Sequence, residues 1–357
     1  MKSFATFFLF LLATFVNSSP LTKRDTSPFE LENSSLYRDL LQYSAYCGVS
    51  YCITTFDGVQ TGRLNDACRG VDCANAPSDI YVVDVVDEVA HAVIMVQKST
   101  KEIVIAFQGS STLLDWILDF SFIPIDFQSY GSSKGLDTTT VDVKDAKVHA
   151  GFKVASQNFF DYSIQVLEHL RAKYPGFKLV VTGHSLGGAL ASLVGLELNL
   201  MGYNPAIISF AGPKVFSPSL ASWVDKQFNT NGYVAQLESQ SVSTITPGTY
   251  TRVTHIRDIV PCVPLVAMGY RHAGSEFYIN EPYLPQNMDS VVIRGEFHES
   301  YELRTLGSVV ARVFYDLPGT LRDFVVLTSH NYYFRVVTQC NGLMEIIGLD
   351  GGPSDRF

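Results

Sequence analysis

A serine between two glycines follows a strand-like segment near the middle of the chain. The β-branched segment Phe177 to Thr182 leads into Gly-His-Ser-Leu-Gly at 183–187, and an Ala/Leu-rich segment continues from Leu186 to Met201. A serine hydroxyl is a poor nucleophile until a base removes its proton, so a reactive serine is held on a tight strand-to-helix turn near a histidine. This context predicts a nucleophile elbow with Ser185 as the nucleophile. A passive serine in a Gly-rich connection is the alternative.

A nucleophilic serine needs a base, and the base needs an orienting acid. After such an elbow the order along the chain is acid, then histidine. Asp258 directly follows the predicted strand Tyr250 to Ile256, and we predict it as the acid. Rival acids in less ordered contexts are Asp289, Asp316 and Asp323. His330 follows an apolar run and a Thr-Ser pair, which favours it as the base. For His272 we expect a structural hydrogen bond, and for His298 a solvent-facing position.

The attacked acyl carbonyl becomes an oxyanion, which needs hydrogen-bond donors already in place. One donor is the backbone N–H of Leu186, and the other is expected from a loop after an early strand. The strand-like segment Ile103 to Phe107 is followed by Gln-Gly-Ser-Ser at 108–111. We therefore predict that Ser110 contributes its N–H and steadies the anion with its hydroxyl.

A strongly apolar stretch follows this loop directly. Its large apolar side chains include Leu113, Leu114, Trp116, Ile117 and Phe120. A buried core helix would have such a composition, and so would a lid that covers Ser185 in water and lies on lipid when open. Burying one large apolar side chain contributes about 1.5–3 kcal/mol. Opening such a lid in water would expose several of these side chains, so the lid would stay closed until a lipid surface covers them.

Strand-like and helix-like segments alternate along much of the chain. The predicted strands include Tyr81 to Val86 and Ala92 to Val96, and the predicted helices include 36–52 and 149–173. This alternation predicts an α/β protein with a mostly parallel central sheet and helices on both faces. The nucleophile elbow at Ser185 adds the expectation of the α/β-hydrolase fold, and the apolar stretch described above would form a helical lid. Two segments interrupt the pattern. The polar segment 229–249 is interpreted as a surface insertion, and 287–327 carries a helix-like pattern from Tyr301 to Tyr315.

The N-terminus indicates export. Residues 1–18 have the pattern of a signal peptide, 19–24 form a short pro-segment that ends in Lys-Arg, and 25–357 are predicted to be a single domain. The 13-residue apolar run from Phe4 to Val16 is too short to span a bilayer. Asn33 begins an N-glycosylation acceptor, which fits a secreted, extracellular protein.

Charge and cysteine content limit the possible partners and sites. The formal charge is −9, and removal of residues 1–24, which hold three basic residues and no acid, leaves −12. An acidic chain without a Lys/Arg cluster is a poor candidate for binding nucleic acid, and lipid contact should be apolar. The six cysteines allow 15 pairings if all are oxidised, and none has the spacing of a metal site.

Taken together, these motifs resemble the secreted fungal class 3 triacylglycerol lipases, including the yeast extracellular forms. The resemblance covers about residues 36–340 and rests on the motifs at 107–111, 115–119, 149–152, 183–188, 258–261, 272–274 and 330–334. It implies the triad Ser185, Asp258 and His330, the oxyanion donors Ser110 and Leu186, and a mobile lid that bears Trp116. It also implies the disulfides Cys52–Cys340 and Cys68–Cys73, and leaves Cys47 and Cys262 without counterparts. Gln108 stands where the family usually has arginine.

The leading hypothesis is an interfacial triacylglycerol lipase that works through an acyl-enzyme and needs no cofactor. Its partners would be a lipid–water interface and an acylglycerol substrate, and the protein would be a monomer. A phospholipase or a feruloyl or short-chain esterase of the same fold is the alternative within the enzyme class, although the apolar stretch argues against a feruloyl esterase. A non-catalytic lipid-binding protein is the alternative outside it.

Overall fold

The computed structural model of the protein describes residues 34–55, 61–68, 73, 77, 79–110, 122–136, 138–298, 329–338 and 340. Its helices are α1 (Ser35–Thr55), α2 (Leu64–Ala67), α3 (Tyr130–Ser133), α4 (Ala150–Lys173), α5 (Leu186–Leu200), α6 (Pro218–Gln227) and α7 (Thr230–Glu238). Its strands are β1 (Gly62–Arg63), β2 (Ile80–Asp87), β3 (His91–Gln97), β4 (Glu102–Phe107), β5 (Pro124–Asp126), β6 (Lys147–His149), β7 (Lys178–His184), β8 (Ala206–Phe210), β9 (Tyr250–His255), β10 (Ser275–Ile279) and β11 (Val291–Arg294).

Some sequence predictions lie outside the described residues. They are the segments 1–18 and 19–24, Asn33, the lid residues Leu113, Leu114, Trp116, Ile117 and Phe120, the helix-like pattern Tyr301 to Tyr315, and the rival acids Asp316 and Asp323.

A nine-stranded sheet in the order β1-β2-β3-β4-β7-β8-β9-β10-β11 forms the centre of the described chain. Strands β4, β7, β8, β9 and β10 are parallel to one another, and antiparallel pairs extend the sheet at both edges. The β-branched strands of the parallel part are buried on both faces, as expected when helices cover both sides. The predicted α/β-hydrolase fold with a mostly parallel sheet is confirmed.

Helices cover the two faces of the sheet, and strand alternation separates two cores. Helix α1 packs on one face, where Val104 and Val180 point. Helices α4, α5 and α6 pack on the other face, where Ile105 and Val181 point. Because successive strand residues point to opposite faces, each apolar strand contributes to both cores. The parallel strands end at a common edge, and this carboxyl edge carries the candidate site described below.

The segment 229–249 differs from its interpretation as a polar surface insertion. Its first half forms α7, and Tyr233 and Leu237 of this helix are buried against the core. These two side chains are four residues apart, one helical turn, so a short apolar stripe orders an otherwise polar segment. The segment 287–327 is predicted to interrupt the strand–helix pattern, but its start forms β11, which extends the sheet by pairing with β10.

Two disulfides are present, Cys52–Cys340 and Cys68–Cys73, the pairs that the resemblance implies. Cys47 and Cys262 are buried thiols outside these bonds. Within the described part of the chain, no helix combines the length and the apolar character needed to cross a membrane.

Candidate active site

Ser185 stands on a strained turn between β7 and α5. Its backbone has φ 60° and ψ −125°, a conformation that side-chain-bearing residues rarely adopt. A Cβ atom on Gly183 would lie 2.2 Å from the carbonyl oxygen of Gly187, and one on Gly187 would lie 2.2 Å from that of Phe107. Both positions therefore require glycine. The turn presses against the end of β4 and presents Ser185 at the carboxyl edge of the sheet.

Asp258 and His330 meet beside this turn although they are 72 residues apart. Nδ1 of His330 lies 3.0 Å from each carboxylate oxygen of Asp258. The Asp258 carboxylate also accepts hydrogen bonds from the Tyr333 hydroxyl at 2.6 Å and from the Val260 N–H at 2.9 Å. Burial alone would raise the pKa of Asp258, but His330 and these donors together lower it below 3.8. Asp258 is therefore a buried carboxylate, and His330 lies against its charge.

His184, the residue before Ser185, contacts His330. The rings of His184 and His330 lie 4.7 Å apart, and Nε2 of His184 is 2.8 Å from the carbonyl oxygen of His330. Ser185 Oγ is buried and makes no hydrogen bond within the described residues. Such contacts are often long in the absence of substrate and tighten when it binds.

Two backbone segments flank Ser185 where an oxyanion would form. Leu186 is the first residue of α5, so its N–H has no acceptor inside the helix and lies at the positive end of the helix dipole. On the other side, a Cβ atom on Gly109 would lie 2.9 Å from Cβ of Ser185. The loop 108–110 therefore packs on the serine turn, which brings Ser110 next to it. Gln108 anchors this loop through its N–H, which donates to the carbonyl of His91 at 3.0 Å.

Comparison with known proteins places this geometry in a family. The model of the family "Lipase (class 3)" matches residues 104–268, which include Ser185 and Asp258. A putative lipase of Saccharomyces cerevisiae, LIH1, is 31% identical over 260 residues, 72% of this chain and 76% of that protein. The chain belongs to the class 3 lipase family. It is a serine ester hydrolase, as the sequence predicts.

Two further similarities show the breadth of this lipase family. The secreted mono- and diacylglycerol lipase A of Penicillium camembertii is 28% identical over 270 residues, 73% of this chain and 74% of that protein. The solved structure of the triacylglyceride lipase of Rhizomucor miehei superposes with a TM-score of 0.60 at 25% identity, covering 89% of this chain and 99% of that one.

The other histidines and acids of this lipase lie in different surroundings. His272 is buried, and its Nε2 donates to the carbonyl of Pro261 at 2.7 Å, in agreement with the expected structural hydrogen bond. His298 is exposed, as expected, and Asp289 is exposed in a short 3-10 turn. His255 donates to the carbonyl of Glu281 at 2.9 Å. The structure brings only Asp258 and His330 together among the described candidates.

Sequence reasoning missed three residues at the site. Tyr333 was recognised only as part of a motif, and the structure adds its bond to Asp258. His184 lies inside the elbow motif, but its position gives no sign of the partners of its ring. Tyr51, which bonds His184 at 3.0 Å, lies 133 residues away in α1 and has no local signal.

The described residues offer one cluster with the residue types of a metal site. The Sγ atoms of Cys52, Cys68 and Cys73 lie within 4.8 Å of one another. All three belong to the two disulfides, so they carry no thiolate to bind a metal.

Proposed function

We propose that the protein is a secreted lipase that hydrolyses acylglycerols at a lipid–water interface, with Ser185 as nucleophile, His330 as base and Asp258 as the orienting acid. The observation that carries this proposal is the buried Asp258–His330 pair at 3.0 Å beside the strained Ser185 turn. A buried carboxylate held by several donors stabilises the imidazolium that forms when a histidine takes a serine proton.

The chemistry would proceed in two stages. Ser185 Oγ attacks the ester carbonyl while its proton passes to Nε2 of His330, and the carbonyl oxygen becomes an oxyanion. The N–H groups of Leu186 and Ser110 would donate to that oxyanion. The tetrahedral intermediate expels the alcohol, which takes the proton from His330, and leaves an acyl-enzyme. Water, deprotonated by His330, then attacks the acyl carbon to form a second tetrahedral intermediate. Its collapse breaks the bond to Ser185 Oγ, which takes the proton back from His330, and releases the fatty acid.

The surroundings of Ser185 support contact with a lipid surface. Val89, Ile123 and Tyr283 are exposed large apolar residues, with exposed fractions of 60%, 54% and 61%. Val89 lies in the β2–β3 turn next to the end of β4, Ile123 lies next to the start of α4, and Tyr283 follows β10. All three are therefore at the carboxyl edge with Ser185. The net charge of −9 favours apolar rather than electrostatic contact with lipid.

Secretion and the substrate are part of the proposal. The export signal in 1–24 and a relative whose name includes "secreted" support secretion. The similarities include a triacylglyceride lipase and a mono- and diacylglycerol lipase, so both substrate classes fit the family. We propose triacylglycerol as the substrate, and rates on triolein and monoolein emulsions distinguish the two.

The test is hydrolysis of tributyrin across the concentration at which droplets form, with wild-type protein, Ser185→Ala and a matched control. Ser192→Ala is the control, because Ser192 is buried in α5 and, among the described residues, its hydroxyl bonds the Gly188 carbonyl and the Tyr250 hydroxyl alone. We expect Ser185→Ala to lose activity by at least about 10⁴-fold and Ser192→Ala to retain it. A rise in rate at droplet formation supports interfacial activation. Hydrolysis that survives in Ser185→Ala would refute the nucleophile.

A further inference from the structure

His184, the residue before Ser185, uses both ring nitrogens in buried hydrogen bonds. Nε2 lies 2.8 Å from the carbonyl oxygen of His330, and Nδ1 lies 3.0 Å from the hydroxyl of Tyr51. A carbonyl oxygen can only accept, so Nε2 must carry the proton. Burial and the neighbouring His330 lower the pKa of His184 to about 3, so the ring is neutral at ordinary pH. Nδ1 is therefore an acceptor, and the Tyr51 hydroxyl must donate to it.

The Tyr51 oxygen continues this connection to the loop 108–110. The Gly109 backbone packs directly on it. A Cβ atom on Gly109 would lie 2.3 Å from the Tyr51 oxygen and 2.6 Å from the carbonyl oxygen of His184, so the loop and the helix touch closely. Tyr51 thus contacts the loop and donates its hydroxyl proton to His184.

The result is a connected chain of one packing contact and two hydrogen bonds, which we call the relay. The Gly109 backbone packs on the Tyr51 hydroxyl, the Tyr51 O–H donates to His184, and the His184 N–H donates to the His330 carbonyl. Its three anchor points are the proposed oxyanion loop, the residue bonded to the nucleophile, and the backbone of the proposed base. The direction of each donation is fixed by its neighbours, so the relay has one arrangement of protons.

We infer that Tyr51 and His184 are positioning residues, which through the relay hold the oxyanion loop and His330 at a fixed distance from Ser185. This inference rests on the proposed function. Tyr51 and His184 are each 1% exposed, and we assign neither of them a direct contact with substrate. They act on the reaction by fixing the oxyanion donors and His330 before substrate arrives. Donors already in place stabilise the oxyanion best, because they need not rearrange as it forms.

A purely structural role would make a different prediction. If the relay only satisfied buried polar groups, its loss would lower stability and leave the rate constant of the folded enzyme unchanged. If it positions the donors and the base, its loss lowers kcat while KM stays constant, because the affected contacts strengthen only in the transition state.

Tyr51→Phe removes one hydroxyl from the relay, and Tyr43→Phe is its matched control. Tyr43 lies in the same helix and is also 1% exposed, but its hydroxyl bonds Glu102 at the start of β4, the end of the sheet far from Ser185. On a dissolved short-chain ester, we expect Tyr51→Phe to lower kcat about tenfold with KM unchanged within about twofold. Tyr43→Phe should lose stability and keep kcat. A wild-type kcat in Tyr51→Phe, or the same loss in Tyr43→Phe, would overturn the inference.

Two His184 variants and one spectrum complete the test. The amide N–H of His184→Gln can still reach the His330 carbonyl, whereas His184→Leu has no donor, so His184→Gln should retain the higher kcat. Nitrogen-15 NMR of wild-type protein and of Ser185→Ala should show His184 protonated at Nε2 alone. Protonation at Nδ1 would overturn the relay whatever the activity. A wild-type protein without esterase activity, or Ser185→Ala with full activity, would instead overturn the proposed function.

Discussion

Replacement of Tyr333 by phenylalanine tests the environment of the buried Asp258 carboxylate. The Tyr333 hydroxyl donates to Oδ2 of Asp258 at 2.6 Å, and the tyrosine is fully buried. Tyr333→Phe therefore removes one donor from a buried charge and changes little else. A hydrogen bond to a charged group contributes about 1.5–3 kcal/mol, so we expect this loss in the free energy of unfolding at pH 7.

The loss depends on pH in a defined direction. The donors around Asp258 lower its folded-state pKa below the ordinary value of 3.8. The stability that they provide is complete above pH 3.8 and is lost as the pH falls through the lower folded-state pKa. The difference between wild type and Tyr333→Phe should thus be constant from neutral pH down to about pH 4 and become smaller in more acidic solution. Because His330 and Val260 still bond the carboxylate, kcat should fall by no more than about tenfold.

Urea unfolding at pH 7, 5 and 3 measures this difference, and Tyr270→Phe is the matched control. Tyr270 is also fully buried, but its hydroxyl has no hydrogen-bond partner among the described residues. Removal of an unsatisfied buried hydroxyl should leave stability unchanged or raise it. A Tyr333→Phe loss no larger than that of Tyr270→Phe, or a loss equally large at pH 3, would refute the assignment of Tyr333 as a donor to a charged Asp258.

Two further predictions concern stability. Lys153→Met should lower the free energy of chemical unfolding by about 3–5 kcal/mol, because it removes the ammonium 2.7 Å from the buried Glu197 carboxylate. Adding Glu197→Leu removes the unpaired carboxylate and should recover most of this loss. A double variant as unstable as the single one would contradict this. Cys340→Ala should lower the free energy of unfolding by about 2–5 kcal/mol in thermal unfolding, because it opens a disulfide whose ends are 288 residues apart. Cys73→Ala should cost clearly less, because the ends of its disulfide are only 5 residues apart. Equal losses would contradict the dependence on loop length.

Local patterns in the sequence were sufficient for much of the fold and for the candidate nucleophile. The β-branched segment before Ser185 and the Ala/Leu-rich segment after it predict β7 and α5 to within two residues at each end. These elements have strong local preferences, and a strained turn between them needs glycine on both sides. The position of Asp258 after β9 follows from the same reasoning, because parallel strands bring their carboxyl ends to one edge.

Other features depend on contacts between distant parts of the chain. Strand β11 is β-branched but only four residues long and partly buried, so its place in the sheet depends on its pairing with β10. The polar composition of 229–249 concealed α7, whose few buried apolar side chains include Tyr233 and Leu237. Tyr51 could not be assigned to the site because its partner His184 is 133 residues away. In each case the deciding interaction is made only after the chain has folded.

Helix α1 explains how such a distant contact can be held accurately. Cys47 contacts Thr182 of β7 at 3.4 Å, and Tyr51 bonds His184 of the same strand at 3.0 Å. Four residues of helix rise about 6 Å, and two residues of strand rise about 6.6 Å, so the helix and the strand stay in register over this length. The Cys52–Cys340 disulfide then ties the same helix to the segment that follows His330. A shift of one residue along α1 would rotate Tyr51 by about 100° away from His184, so the register of α1 on β7 is a condition for the geometry around Ser185.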